Sequence, residues 1–407
     1  MFGIFESHLN IYSWFPKMEK TTFDVSLVHF LLMFGYKLFS LYYPLYLISI
    51  GFSVMNIGSI YLLTYSVIAI SSLAINHYIR KFNPSKVAAF GIAGYGVFAL
   101  MMLLSRNIYV FYLAQIVLGF SAAAWLVSLK LILMKSKSKS KSKSFGWFYS
   151  MPHYASVVAP LIGGAVILKF GFTGVFILSL VIQFANAFYA YSRLSGNENI
   201  SHNNKECRKE GPKNNYKKIY HETKKDGVLI FLLISVFSAL ILGGIYRAFF
   251  VIFLENLSFS QNDVIKFIAL ASVAYLPLSV IVIKIIEKLK NRKIISGGII
   301  AEGFFTIILG AFSSVMNLFG FFVVMTVGSL GALATGSGKS AFLSRRFQKC
   351  KEEASVIDTI LATLGPALGG LIGGVAISSL GFEKTFLFAG IIVFILGTIS
   401  WFIKVKT

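Results

Sequence analysis

Charge is scarce in this chain, and acid is scarcest of all. Only 13% of its 407 residues are charged, and just 16 are acidic against 38 basic. A soluble domain carries about a quarter charged residues, so a fold bathed in water is excluded. Cysteine is nearly absent as well. Cys207 and Cys350 fall in connections expected on the cytoplasmic side, which suggests neither a disulfide framework nor a metal site. The first 23 residues hold Glu6, Pro16, Lys17, Glu19 and Lys20 without an apolar core and small-residue cleavage site, so no cleaved signal peptide is expected. Glycine loops that cradle phosphate, zinc-spaced His/Cys sets and a nucleophile elbow are also missing. Gly336-Ser337-Gly338-Lys339-Ser340 ends like a phosphate loop but lacks the first glycine at the proper spacing and lies inside an apolar run. An enzyme, a cofactor and a bound metal are therefore not expected.

What the chain has instead is apolar length. Its residues are 56% hydrophobic and 15% aromatic. Runs longer than about 18 apolar residues suffice to cross a hydrocarbon core as a helix. A closed β-barrel would show alternating segments of about 10 residues rather than continuous runs. The runs read as twelve spans, at 24–50, 57–79, 86–105, 108–134, 145–168, 174–194, 227–254, 264–284, 294–314, 317–341, 354–378 and 383–403. The net charge of +22 does not point to nucleic acid, because the basic residues sit in short connections between spans. In or just beside the connections after odd-numbered spans stand only Arg106, Lys169, Lys266 and Lys384. The remaining connections and both tails are rich in Lys and Arg, which places both termini in the cytoplasm. The expected fold class is an all-α, multi-pass protein of the cell membrane, with the lipid bilayer as its main partner and a monomeric state.

The spans repeat. Sliding the chain by 207 residues lays Phe52-Ser53 over Phe259-Ser260, Lys81 over Lys288, Lys86 over Lys293 and Gly91 over Gly298. At nearly the same offset Pro160 falls on Pro366, and Gly163-Gly164 on Gly369-Gly370. Ordered matches of this kind imply two copies of a six-helix unit. The expected organisation is an N-terminal lobe at 1–194, a basic cytoplasmic linker at 195–226 and a C-terminal lobe at 227–407. The linker reads as solvated, with little reason to pack. The run KSKSKSKSKS at 135–144 reads as a solvated tether drawn to anionic lipid heads.

On this layout, and on Ala159-Pro160-Leu161-Ile162-Gly163-Gly164 with its copy Gly365-Pro366-Ala367-Leu368-Gly369-Gly370, the chain resembles the major facilitator superfamily over essentially its whole length. Leu118-Gly119-Phe120-Ser121-Ala122-Ala123 is similar to that family's small-residue motif in the fourth span. Two features depart from the pattern. Gln115 stands where the family often has Arg, and Asn76-His77-Tyr78-Ile79-Arg80-Lys81 lacks the Gly and Asp of the signature loop. The resemblance implies two pseudo-symmetric lobes that carry a small solute by alternating access.

Ionisable groups deep in a bilayer cost several kcal/mol, so each one is a candidate site. Lys37 in span one and Arg247 in span seven are offset by about one helical turn under the repeat, and are expected to face each other across the pseudo-twofold axis. The competing expectation is that one of them snorkels to an interface or pairs with an acid such as Glu302. With His153 of span five they make the expected substrate-binding set, and two unneutralised cations favour an anion. The set also resembles that of the family's organophosphate:phosphate antiporters, which implies a phosphorylated or carboxylate substrate. Lys130 and Lys339, which end spans four and ten, are expected to snorkel or to form an inner gate, with Asp358 as a partner for Lys339. Asp24 and His29 near the inner end of span one are expected to be solvated; tyrosines such as Tyr36, Tyr154 and Tyr246 are candidates to line a cavity, although aromatic belts and packing explain most such residues. Two other functions stay open: a proton-coupled exporter of lipophilic or cationic compounds, and a non-transporting membrane sensor with the same fold.

Overall fold

A computed structural model of the chain describes residues 18–403 apart from 41, 53, 105–106, 196–204 and 260; for parts of the helices, among them 54–59, 205–213 and 261–266, it describes the backbone alone. All regular structure among the described residues is helical. In chain order the helices are α1 (Lys20–Ser40), the short α2 (Tyr43–Ser49), α3 (Val54–Lys81), α4 (Pro84–Leu104), α5 (Ile108–Lys135), α6 (Lys141–Ser195) and α7 (Lys205–Lys224). They continue as α8 (Gly227–Asn256), α9 (Gln261–Lys288), α10 (Asn291–Phe312), α11 (Leu318–Arg346), α12 (Lys351–Leu380) and α13 (Phe382–Phe402). Ten are long and apolar enough to cross a membrane. One of these, α6, has 55 residues, about 80 Å at 1.5 Å per residue, far more than a single crossing needs. It is broken at Gly171, where φ is 66° and ψ −172°, a conformation that a side chain with a Cβ rarely adopts. Two spans therefore share α6, and with the 28-residue α9, which is not one of the ten, the spans among the described residues number twelve.

The repeat seen in the sequence is present in three dimensions. Gly381, which separates α12 from α13, has φ 80° and ψ 172°, matching the break at Gly171. Asn107 caps α5 by accepting from the Tyr109 N–H at 2.8 Å, and Asn317 caps α11 by accepting from the Gly320 N–H at 3.0 Å. Both satisfy an amide that the first helical turn leaves open. Packing repeats in the same way. Helix α1 lies on α6 as α8 lies on α12, and α4 lies on α5 as α10 lies on α11.

Small residues let these pairs close. A Cβ on Gly163 would fall 1.7 Å from the Leu38 carbonyl oxygen, and one on Gly369 would fall 2.1 Å from that of Ile241. Helices in lipid gain from such close approach because no hydrophobic effect drives them together there. The lobes meet through α3 and α5 against α12, and α6 against α9 and α11.

Three expectations are corrected. The linker is not wholly solvated. Over 205–224 it is the helix α7, and it packs: Asn215 is fully buried and Ile219 nearly so. The lysine-serine run is not a free tether either. Lys135 pairs with Glu352 at 2.5 Å, Lys143 with Glu287 at 3.0 Å, and Ser142 donates to Asn291 at 2.8 Å, all across the lobe interface. Its alternating pattern puts a charge or a hydroxyl wherever the opposite lobe offers a partner. Finally, Cys350 is disulfide-bonded, where no disulfide was expected.

The glycine contacts give a direct test. Gly369→Val, whose new methyls meet the backbone of α8, is expected to lower the thermal midpoint of the purified protein by the equivalent of about 2–3 kcal/mol, as overpacking does. Gly370→Ala, next in sequence with nothing within 4 Å of its Cβ position, is expected to leave that midpoint unchanged within about 0.5 kcal/mol. Equal effects of the two changes in a thermal melt would refute this account.

Candidate functional site

The upper part of the site is a group of cations between the lobes. Lys37 lies in the last turn of α1, just before the helix breaks ahead of α2, and is half-buried. Arg247 follows Tyr246 on α8 and is exposed. His153 follows Pro152 on α6, and its ring stacks on Tyr275 of α9, with centroids 4.1 Å apart and planes 22° from parallel. The three are near enough for the charges of Lys37 and Arg247 to act on each other and on the imidazole. Residues from α1 and α6 in one lobe and α8 and α9 in the other therefore share one space. Close by, the Tyr154 and Ser279 hydroxyls hydrogen-bond across the lobes at 2.8 Å.

Glu302 does not neutralise this group. It is buried on α10, where Thr335 of α11 donates to its carboxyl at 2.6 Å, and among the described residues no base pairs with it. Gln115, standing where the family often has Arg, accepts from Thr64 at 2.7 Å and donates to the Tyr43 hydroxyl at 2.9 Å. A neutral network fills that position.

Below the cations lies a buried charge cluster. Asp358 of α12 takes Lys130 of α5 on one carboxylate oxygen and Lys339 of α11 on the other, each at 2.8 Å. All three side chains are at most 2% exposed, which rules out snorkelling by either lysine. Ser340 donates to the same carboxylate at 2.9 Å, as does the Tyr149 hydroxyl at 3.3 Å. Asp358 thus serves both lysines, where the sequence had suggested Lys339 alone. It joins the N-terminal lobe to the C-terminal one.

Further ion pairs close the same end of the bundle, the end that carries α7. Arg80 pairs with Glu353, and Lys135 with Glu352. Helix α7 adds to the first of these, since Asn215 donates to Glu353 at 3.2 Å and Asn76 donates to the Tyr216 hydroxyl at 2.9 Å. Burial, chiefly, holds the Tyr216 phenol above its usual pKa, so it stays protonated. The hydrogen bonds and ion pairs described between the lobes cluster at this end. Asp24 and His29, expected to be solvated, are also buried here, with the His29 Nδ1 2.9 Å from the Phe148 carbonyl oxygen.

Tyr149, Ser340, Tyr275, Glu352 and Glu353 did not stand out in the sequence, though two signals were available. Tyr149 precedes His153 by four residues, one turn along the same helix face. In a chain with so little acid, Glu352, Glu353 and Asp358 crowd the start of one span.

The geometry is that of a two-lobed carrier, and the comparisons agree. The Major Facilitator Superfamily profile matches residues 25–260 and again 232–407. The chain belongs to that superfamily: it is a multi-pass membrane transporter rather than an enzyme. The crystal structure of the human organic anion transporter MFSD10 (TETRAN) superposes with a TM-score of 0.71 at 11% identity, covering 95% of this chain and 100% of that one. At that identity the likeness establishes the fold alone. No curated protein matches the chain in sequence.

Removing one partner of a buried ion cluster typically costs about 3–5 kcal/mol, whereas exchanging the whole cluster for apolar groups is often neutral. Asp358→Asn is therefore expected to lower the thermal midpoint strongly. The triple variant Asp358→Asn, Lys130→Met, Lys339→Met is expected to recover most of the loss in the same assay. A triple variant no more stable than Asp358→Asn would show that the two lysines are not held by that carboxylate.

Proposed function

We propose that the protein is a secondary carrier of a small organic or phosphorylated anion, working by alternating access in the cell membrane with both termini in the cytoplasm. The observation that carries this reading is the group of Lys37, Arg247 and His153. Two cations from different lobes act on each other and on an imidazole, and no carboxylate is described beside them. At an effective dielectric of about 20, two unit charges 4–8 Å apart repel by about 2–4 kcal/mol. An anion bound between them removes that repulsion and draws the lobes together. Lysine lacks the forked donor pair of arginine, so a carboxylate suits this site as well as a phosphate.

Charge balance supports the same reading. Lys37, Arg247, Lys130 and Lys339 face the lobe interface, against Asp358 as the carboxylate of the charge cluster. A cationic substrate would meet net repulsion throughout. In this conformation the ion pairs around Asp358, Glu352 and Glu353 seal the cytoplasmic end, and the cation group lies beyond that seal. Alternating access then consists of breaking these pairs while the outer ends of the lobes close. The human protein with the same fold is described as an organic anion transporter, which accords with the proposal without carrying it.

In liposomes loaded with an anion mixture, the native protein is expected to support counterflow of at least one organic anion. Lys37→Ala and Arg247→Ala are each expected to cut that counterflow by 10-fold or more, the loss of a charge-assisted hydrogen bond, while thermal midpoints shift by only a few degrees. His153→Phe, which keeps the stack on Tyr275, is expected to cost less. Counterflow of cations alone, or of anions at undiminished rate in both alanine variants, would defeat the proposal.

A further inference from the structure

A second place on the molecule concentrates positive charge on a concave surface, well away from the cation group between the lobes. It is a cleft of about 340 Å³ between α7 and the turn joining α11 to α12. Lys218, Ile219 and Glu222 form one wall, and Arg345, Arg346, Phe347 and Lys349 much of the other. Ile219, Phe347 and Cys350 are buried and make an apolar floor, while the charged side chains stand exposed around it. The lining thus holds four cations against one carboxylate. Arg346 is partly committed, since it pairs with Asp226 at 3.1 Å. Lys218 and Arg345 approach from different elements. Arg345 and Lys351 both stand within electrostatic reach of Lys141, with Glu19 as the acid among its charged neighbours.

The cleft adjoins the seal between the lobes. Lys218 is three residues beyond Asn215, and Cys350 three residues before Glu353, so each wall is about one helical turn from the Asn215–Glu353 hydrogen bond at 3.2 Å. Glu353 in turn holds Arg80 of the opposite lobe. Whatever bridges Lys218 and Arg345 fastens α7 to the end of α11, and through the turn ending at Cys350 to the start of α12, and so steadies the contact that Asn215 makes with the inter-lobe pair. We propose that this cleft binds a polyphosphorylated anion, and that occupancy holds α7 against the lobe interface and favours the state with the linker end closed. Several phosphoryl charges match several cations, and arginine binds phosphate with two parallel N–H donors. A positive surface at the membrane boundary is also reached by lipid headgroups, so a soluble polyphosphate and a phosphorylated headgroup present the same chemistry here.

The test uses the full chain carrying Lys37→Ala and Arg247→Ala, so that the cations between the lobes cannot report on the probe. Inorganic pyrophosphate at millimolar concentration is expected to raise its thermal midpoint by a few degrees in a saturable manner, and to slow tryptic cleavage within 205–225. Adding Lys218→Ala with Arg345→Ala should abolish both effects. Lys218→Arg should keep them, as should Lys81→Ala with Lys86→Ala, which removes an equal charge from exposed sites elsewhere. A parallel arm compares phosphatidylcholine nanodiscs with and without phosphatidylinositol bisphosphate. Protection by pyrophosphate supports the cleft with a soluble ligand, and protection by the lipid alone supports it with a headgroup. No protection in either arm, or protection that survives Lys218→Ala with Arg345→Ala, would overturn the proposal.

Discussion

A fully buried carboxylate, Asp358, ties the two halves of this molecule together. Asp358 stands between Lys130 and Lys339, at 2.8 Å from each, and all three are removed from solvent. Burying three charges is costly, and their attraction offsets that cost only where geometry and further hydrogen bonds are good. Here Tyr149 and Ser340 supply those bonds. The pairs of Glu352 and Glu353 with bases of the opposite lobe lie at the same end, and the group of Lys37, Arg247 and His153 lies away from them.

Within each lobe the constraint is different. Lipid offers no partner to a backbone amide, so each apolar run closes its hydrogen bonds as a helix. The helices then cohere through close contact at small residues. Gly163 against Leu38 and Gly369 against Ile241 are the same device in two copies, and the left-handed breaks at Gly171 and Gly381 are another. The lobes are thus stiff units with matched construction. That division suits a carrier: rigid halves joined by a polar, reversible contact.

The chain's shortage of acid takes on meaning in this light. Of its 16 acidic residues, Glu287, Glu352, Glu353 and Asp358 all pair with bases across the lobe interface. Acid is thus placed where the lobes are held, while Lys37 and Arg247 stand within electrostatic reach of each other with no acid paired to either among the described residues. The contrast between the neutralised cations around Asp358 and the unneutralised ones above is the physical basis for proposing the upper group as an anion site. The lysine-serine run shows the same economy. What looks like low complexity supplies Lys135, Ser142 and Lys143 to three separate partners on the other lobe.

Much of the fold was legible without coordinates. Run length gave twelve helices, because hydrocarbon thickness and helical rise leave little choice, and the offset of about 207 residues gave two lobes, because equal patterns bury equal faces. Lys37, Arg247, His153, Lys130, Lys339 and Asp358 all stood out because charge is rare inside a bilayer. What the sequence did not contain was the pairing. That Asp358 holds Lys130 as well as Lys339, that Glu353 gathers Arg80 and Asn215, and that α7 docks rather than floats all depend on residues 138 or more positions apart arriving in one place. Local pattern records only which way a side chain faces on its own helix; which neighbour it meets there is decided by how the lobes come to rest against each other.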